Sequence, residues 1–165
     1  MTEPDPTMAA ITAAVTRGRA GDGAGARSTL TDLWTEIGPH GDPFHRCTLA
    51  HYLADLYDDP AQALAWDIRA LDAAETLADA RVKEFDATLD VRGFFPSLHL
   101  NLADNYRRLS AFDAARQQVD AARTHLHALP DDDYGAMIRT ALDEMADLIS
   151  SGTTTRRASA PTGRP

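Results

Sequence analysis

Alanine fills 30 of the 165 positions, and its placement constrains the fold more than any other feature. Small and apolar residues recur at three- and four-residue steps, as at Ala115, Val119, Ala122 and Leu126. Such steps put them on one face of a helix. Alanine also has the highest helix propensity, because no side-chain rotamer freedom is lost. Asp-Pro and glycine-rich breaks interrupt the pattern. No segment alternates apolar and polar residues over strand length, so the fold class expected is all-α.

The breaks set the helices. A first helix is expected from Thr7, as its cap, to Ala20, with Met8, Ile11 and Val15 on one face. The glycine-rich GRAGDGAG leads to a second, Ala24 to Ile37, whose stripe is Ala26, Leu30, Leu33, Trp34 and Ile37, stopped by Gly38. Asp42-Pro43 and Asp59-Pro60 each place a capping acid before a proline at the first helical position. The third helix then runs from Pro43 to about Tyr57. The fourth starts at Pro60 and carries Leu64, Ile68 and Leu71. Beyond Glu75, Val82, Phe85 and Leu89 share a face, which fits a long fourth helix with a short extra one, or a single kinked helix. Gly93 ends that run. Further helices are expected from Pro96 to about Leu109, from Phe112 to Leu129, and after Pro130. The last carries Tyr134, Ile138, Ala141, Met145 and Leu148, with Asp131, Asp132 and Asp133 at its N-terminus, where the helix dipole favours acids.

The length suits one domain with its own core. The expected division is a flexible N-terminus at 1–6, a helical domain at 7–150 with an insert at about 78–95, and a disordered basic tail at 151–165. The net charge is −9. The tail holds Arg156, Arg157 and Arg164 and no acid, which leaves 13 basic and 25 acidic residues before it, a net −12. Such a body should repel nucleic acid and anionic membrane and attract a basic peptide or protein segment. No run is long and apolar enough for a membrane span, and the acidic, proline-containing start lacks the form of a signal peptide, so a cytoplasmic location is expected. The alanine content and the use of Arg over Lys suggest a high-GC bacterial coding sequence. The lone cysteine, Cys47, cannot form an intramolecular disulfide and is expected in the core.

Residues 97–122, SLHLNLADNYRRLSAFDAARQQVDAA, carry small and aromatic residues at fixed offsets: Leu102, Ala103, Tyr106, Ser110, Phe112, Ala115, Val119 and Ala122. This pattern resembles a tetratricopeptide repeat, a 34-residue helical hairpin that stacks into a superhelix. Ser110 stands where the repeat has a turn glycine. Weaker copies precede it. Gly21, Ala26, Leu30 and Leu33 fit part of one. Ala50, Ala54, Ala63, Ala70 and Leu71 fit another, with Asp67 where an apolar residue is usual and His51 where a small one is. The markers Ala26, Ala63 and Ala115 are 37 and 52 residues apart, so an insert near Asp79 to Phe95 separates the second and third hairpins. The resemblance implies a short right-handed superhelix of about three hairpins plus a C-terminal capping helix. It also implies a concave groove lined by the first helix of each hairpin, here His45, Thr48, Tyr52, Asp55, Asn101, Asp104, Asn105 and Arg108.

Function is therefore expected to be non-catalytic, the binding of a protein or peptide with a basic segment in that groove. The alternative is a small helical enzyme or ligand-binding regulator with a site around His51, Asp55 and Asn101 or Asn105, since Cys47, His51 and Asp55 follow at four-residue steps on one helix. Self-association into a homodimer through the ends of so short a stack is a third reading. No phosphate-binding, zinc-protease or serine-hydrolase motif is present, and no cofactor or metal is implied. Trp66 is expected to pack on the insert, and Phe94 and Phe95 to plug the junction between the insert and the third hairpin. RRAS, Arg156 to Ser159, has the form of a basophilic kinase site.

Overall fold

The computed structural model describes residues 4–86 and 90–157. These form α1 (Pro6–Arg19), α2 (Gly23–Ile37), α3 (Pro43–Ala54), α4 (Pro60–Glu75), α5 (Asp79–Phe85), α6 (Phe95–Arg108), α7 (Phe112–Thr124) and α8 (Asp133–Ser150). Single 3-10 turns lie at Val91–Gly93 and Leu126–Ala128. No strand occurs among the described residues, and none of their helices is long and apolar enough to cross a membrane.

Aspartate starts five of the helices. Asp5 accepts from the Met8 amide, Asp22 from Gly25, Asp42 from Phe44 and His45, Asp59 from Ala61, and Asp132 from Gly135. Each satisfies an amide that has no partner within its helix. The cap of α1 is thus Asp5, ahead of Pro6, and Thr7 lies inside the helix. The same Asp-Pro signal as at Asp42 and Asp59 operates there. The third helix stops at Ala54, earlier than expected. The Leu56 and Tyr57 amides bond back to Leu53 and Ala54 and close a tight turn. Beyond α4 the chain forms a separate short helix rather than a kinked continuation. Leu89, expected on its apolar face, lies outside the described residues.

Consecutive helices pack in pairs: α1 on α2, α3 on α4 and α6 on α7. The pairs then stack, α2 on α3 and α4 on α6, while α8 lies across α6 and α7. Helices α1 and α3 also touch, as do α6 and α8. The crossing of α6 and α7 needs small side chains, and Ala103 and Ala115 are both 0% exposed. Around them, Leu100, Val119, Ile138, Leu142 and Met145 form one core with α8. A second core joins Met8, Ile11, Leu30, Phe44, Leu49 and Leu53 to Val82 and Val91 of the insert.

The buried side of α4 is Ala63, Asp67, Ala70, Ala73 and Ala74, so Ile68, expected in an apolar stripe, is exposed instead. Trp66, expected to pack on the insert, stands edge-on against Trp34 of α2, with centroids 5.2 Å apart. Phe94 stacks on Phe44, whereas Phe95 stacks on His125 and His99. Between α6 and α7, Ser110 takes φ 63°. That left-handed conformation is costly for a residue with a Cβ, and it occurs where the tetratricopeptide pattern has glycine.

Gly152, at φ 67°, ends α8. The Thr153 amide bonds back to Leu148 at 3.1 Å, and the chain turns onto the body. Residues 151–157, read from composition as the start of a disordered tail, therefore lie in contact with α6 and α8. Composition gave no sign of this because the contacts are hydrogen bonds and ion pairs from body side chains.

Candidate functional site

A cavity of about 470 Å³ opens where α3, the start of α6 and the loop before α8 converge. Its apolar wall includes Met8, Phe44, Phe94, Leu98 and Leu129, and Thr48, His51, Tyr52, Ser97, Asp132 and Tyr134 add polar groups. The mixture suits a ligand with an apolar part and a few hydrogen-bonding groups. A wider, open groove of about 1270 Å³ runs along α1 and α5, but its floor is mainly Ala9, Thr12, Ala13 and Thr16, and its charged Asp5 and Arg81 bind each other.

Behind the cavity sits a buried polar network. Asp67 of α4 is 2% exposed. Asn105 of α6 donates to its Oδ2 at 2.7 Å. Asn101 Nδ2 lies 3.5 Å from Asp67 Oδ1 and 3.5 Å from His51 Nδ1. His51 Nδ1 is 3.9 Å from Asp67 Oδ1. Burial raises the Asp67 carboxyl, against the opposing pull of His51, Asn101 and Asn105. For His51, burial disfavours the charged form, but the hydrogen bond to Asp67 and the charges on Asp55 and Asp67 outweigh it and raise its pKa. Both shifts favour keeping one proton on the pair.

Asp55, just past α3, is exposed on one side and crowded by protein on the other. Its carboxyl is pushed up to about 6, first by desolvation and further by Asp67, while His51, Arg19 and Arg156 pull the other way. Cys47 is buried at 4% exposure, and burial pushes its thiol up to about 12. That disfavours the thiolate a nucleophile needs.

The eight expected groove residues divide among four places. Thr48 and Tyr52 line the cavity beside His51. Asn101 and Asn105 face Asp67, and Asn105 is buried rather than solvated. Asp55, Asp104 and Arg108 lie near the C-terminal ends of α3 and α6. There Asp104 pairs with Arg107 at 2.6 Å, and Arg108 donates to the Asp58 carbonyl at 2.7 Å. His45 belongs elsewhere: its Nε2 meets Asp5 at 2.8 Å, and Arg81 of the insert binds both Asp5 and Asp42. Arg81 thereby ties α5 to the caps of α1 and α3. Burial would raise Asp5, but the bonds from His45, the Met8 amide and Arg81 hold it at about 2.

For the enzyme reading, His51 would have to meet Asp55 and Asn101 or Asn105 in one pocket. His51 lines the cavity, whereas those three are not among its lining residues. Arg81 and Arg107 went unnoticed in the sequence, since their partners are 76 and 46 residues away, at Asp5 and Thr153. Asp67 had a signal, because it interrupts an apolar pattern. No protein-family model matches the chain, and no curated protein or solved structure matches it.

Proposed function

We propose that the stacked pairs are a short, degenerate tetratricopeptide-like superhelix capped by α8, and that its inner face binds an extended peptide. The peptide carries a bulky apolar residue flanked by basic ones. The observation that carries this reading is the cavity beside Thr48, His51 and Tyr52. Its volume of about 470 Å³ admits a large apolar side chain. A net charge of −9 adds long-range attraction for a basic segment. The fully buried Ala103 and Ala115 support the repeat reading, because only small side chains fit the helix crossing, and so does the left-handed backbone at Ser110, which the pattern expects of its turn glycine.

Panning the protein against a random peptide library tests the binding reading. Enrichment of peptides pairing a large apolar residue with Arg or Lys, lost against Thr48→Trp, is the expected result. Enrichment unaffected by Thr48→Trp, or none at all, counts against it. Thr48→Trp fills the cavity from its edge, and its melting temperature should be measured alongside to separate lost binding from lost folding.

A further inference from the structure

The segment after α8 already behaves as a bound peptide. Arg107 is completely buried, and its guanidinium donates to the Thr153 carbonyl at 2.6 Å and to the Thr155 carbonyl at 2.8 Å. Asp104 at 2.6 Å holds the guanidinium in place. A side chain aimed at two carbonyls of an adjacent strand of chain reads backbone, not sequence. The two arginines then add charge recognition. Arg156 pairs with Asp58, and the Arg157 side chain, only 9% exposed, pairs with Glu144 at 2.8 Å.

The place matters as much as the contacts. Asp58 follows the turn after α3, Asp104 and Arg107 are in the last turns of α6, and Glu144 is on α8. The ends of α3 and α6, two of the helices assigned to the inner face, therefore meet the capping helix α8 here. Asp55 also lies within reach of the Arg156 charge.

We propose that Arg107, Asp58 and Glu144 form a docking surface for an extended segment with two adjacent arginines, and that residues 153–157 occupy it until a partner segment of the same chemistry displaces them. The inference rests on the reading that the inner face takes basic peptides, and it adds where the arginines go and what competes for the site. A tethered segment acts at an effective concentration near millimolar, so a free peptide must displace it to bind. Removing the tether's contacts should then expose the surface without altering it.

The probe is a fluorescently labelled peptide of residues 151–165, SGTTTRRASAPTGRP. It is titrated into the full chain and into the full chain carrying Arg156→Ser and Arg157→Ser, with anisotropy as readout. The variant should bind at least about 10-fold tighter than the unaltered chain, because its own tail keeps only the Arg107 bonds and competes less. Adding Asp58→Asn and Glu144→Gln, both at exposed positions that leave the core alone, should abolish that gain. Equal affinity for the unaltered chain and the tail variant overturns the competition. Unchanged binding after the Asp58 and Glu144 substitutions overturns the surface, as does no binding to the tail variant. This peptide decides the tail proposal, whereas the library peptides decide the groove reading, so one can fail while the other stands.

Discussion

Asn105 of α6 donates to Asp67 of α4 at 2.7 Å across the junction of the second and third helix pairs. Both residues are almost fully buried, so the bond lies at the join between the stacked halves. Asn105→Ala should cost about 1–3 kcal/mol, because it leaves a buried carboxyl one donor short. Asp67→Leu also takes a partner from Asn101 and His51, so the double leucine variant should cost less than the sum of its single changes without being neutral. Urea unfolding of the two single variants and the double variant measures the coupling. Additive losses would mean that the pair does not act as a unit.

The same network sets the pH dependence of stability. Asp55, raised to about 6, and His51 and Asp67, both raised, bind protons more tightly in the folded chain than in the unfolded one. The groups facing them are Tyr52, Arg19 and Arg156. Stability from such groups is present at low pH and is lost as the pH rises through the folded pKa. The melting temperature should therefore fall as the pH rises from about 4 to above 7. Asp5, held at about 2, works in the opposite sense, and its contribution disappears only as the pH falls below its ordinary 3.8 toward 2. His51→Gln combined with Asp67→Asn should flatten the upper limb of a melting-temperature profile. A profile that rises between pH 5 and 7 would contradict the assignment.

Two backbone positions offer a test. Ser110 holds φ 63°, so Ser110→Gly should stabilise the chain by about 0.5–1 kcal/mol after the entropy lost by glycine is counted. Gly135 behaves in the opposite way. A Cβ there would collide with the Pro130 carbonyl, so Gly135→Ala should destabilise by about 1–3 kcal/mol. Thermal unfolding followed by circular dichroism distinguishes the signs. A stabilising Gly135→Ala would mean that the loop before α8 gives way.

Cys47 should react slowly. Its thiol is buried and pushed up to about 12, so a thiol reagent must await an opening of the fold. Labelling should be at least about 100-fold faster in denaturant, as expected when modification requires exposure of a core residue. Fast labelling of the folded chain would restore a reactive cysteine beside His51.

The helices were legible in the sequence because their signals are local. Asp-Pro caps, alanine steps and glycine breaks operate within a few residues, and the Asp5-Pro6 start went unread only because Thr7 offers a similar cap. The candidate site was legible in part. Thr48 and Tyr52, which the resemblance implied as groove residues, fall on the α3 face that meets the cavity. The burial of Asn105 was not legible, because it depends on Asp67, 38 residues earlier. The docked tail was hidden for the same reason. Its composition is that of a disordered segment, and the order comes from Arg107, Asp58 and Glu144.

The inner-face claim is tested most directly by amide chemical-shift mapping of the isotope-labelled protein with a library-selected peptide. The account predicts shifts concentrated at Thr48, His51, Tyr52, Ser97 and Tyr134, with the outward residues of α2, α4 and α7 unmoved. Shifts centred on those outward residues, or on the open groove along α1, would contradict it.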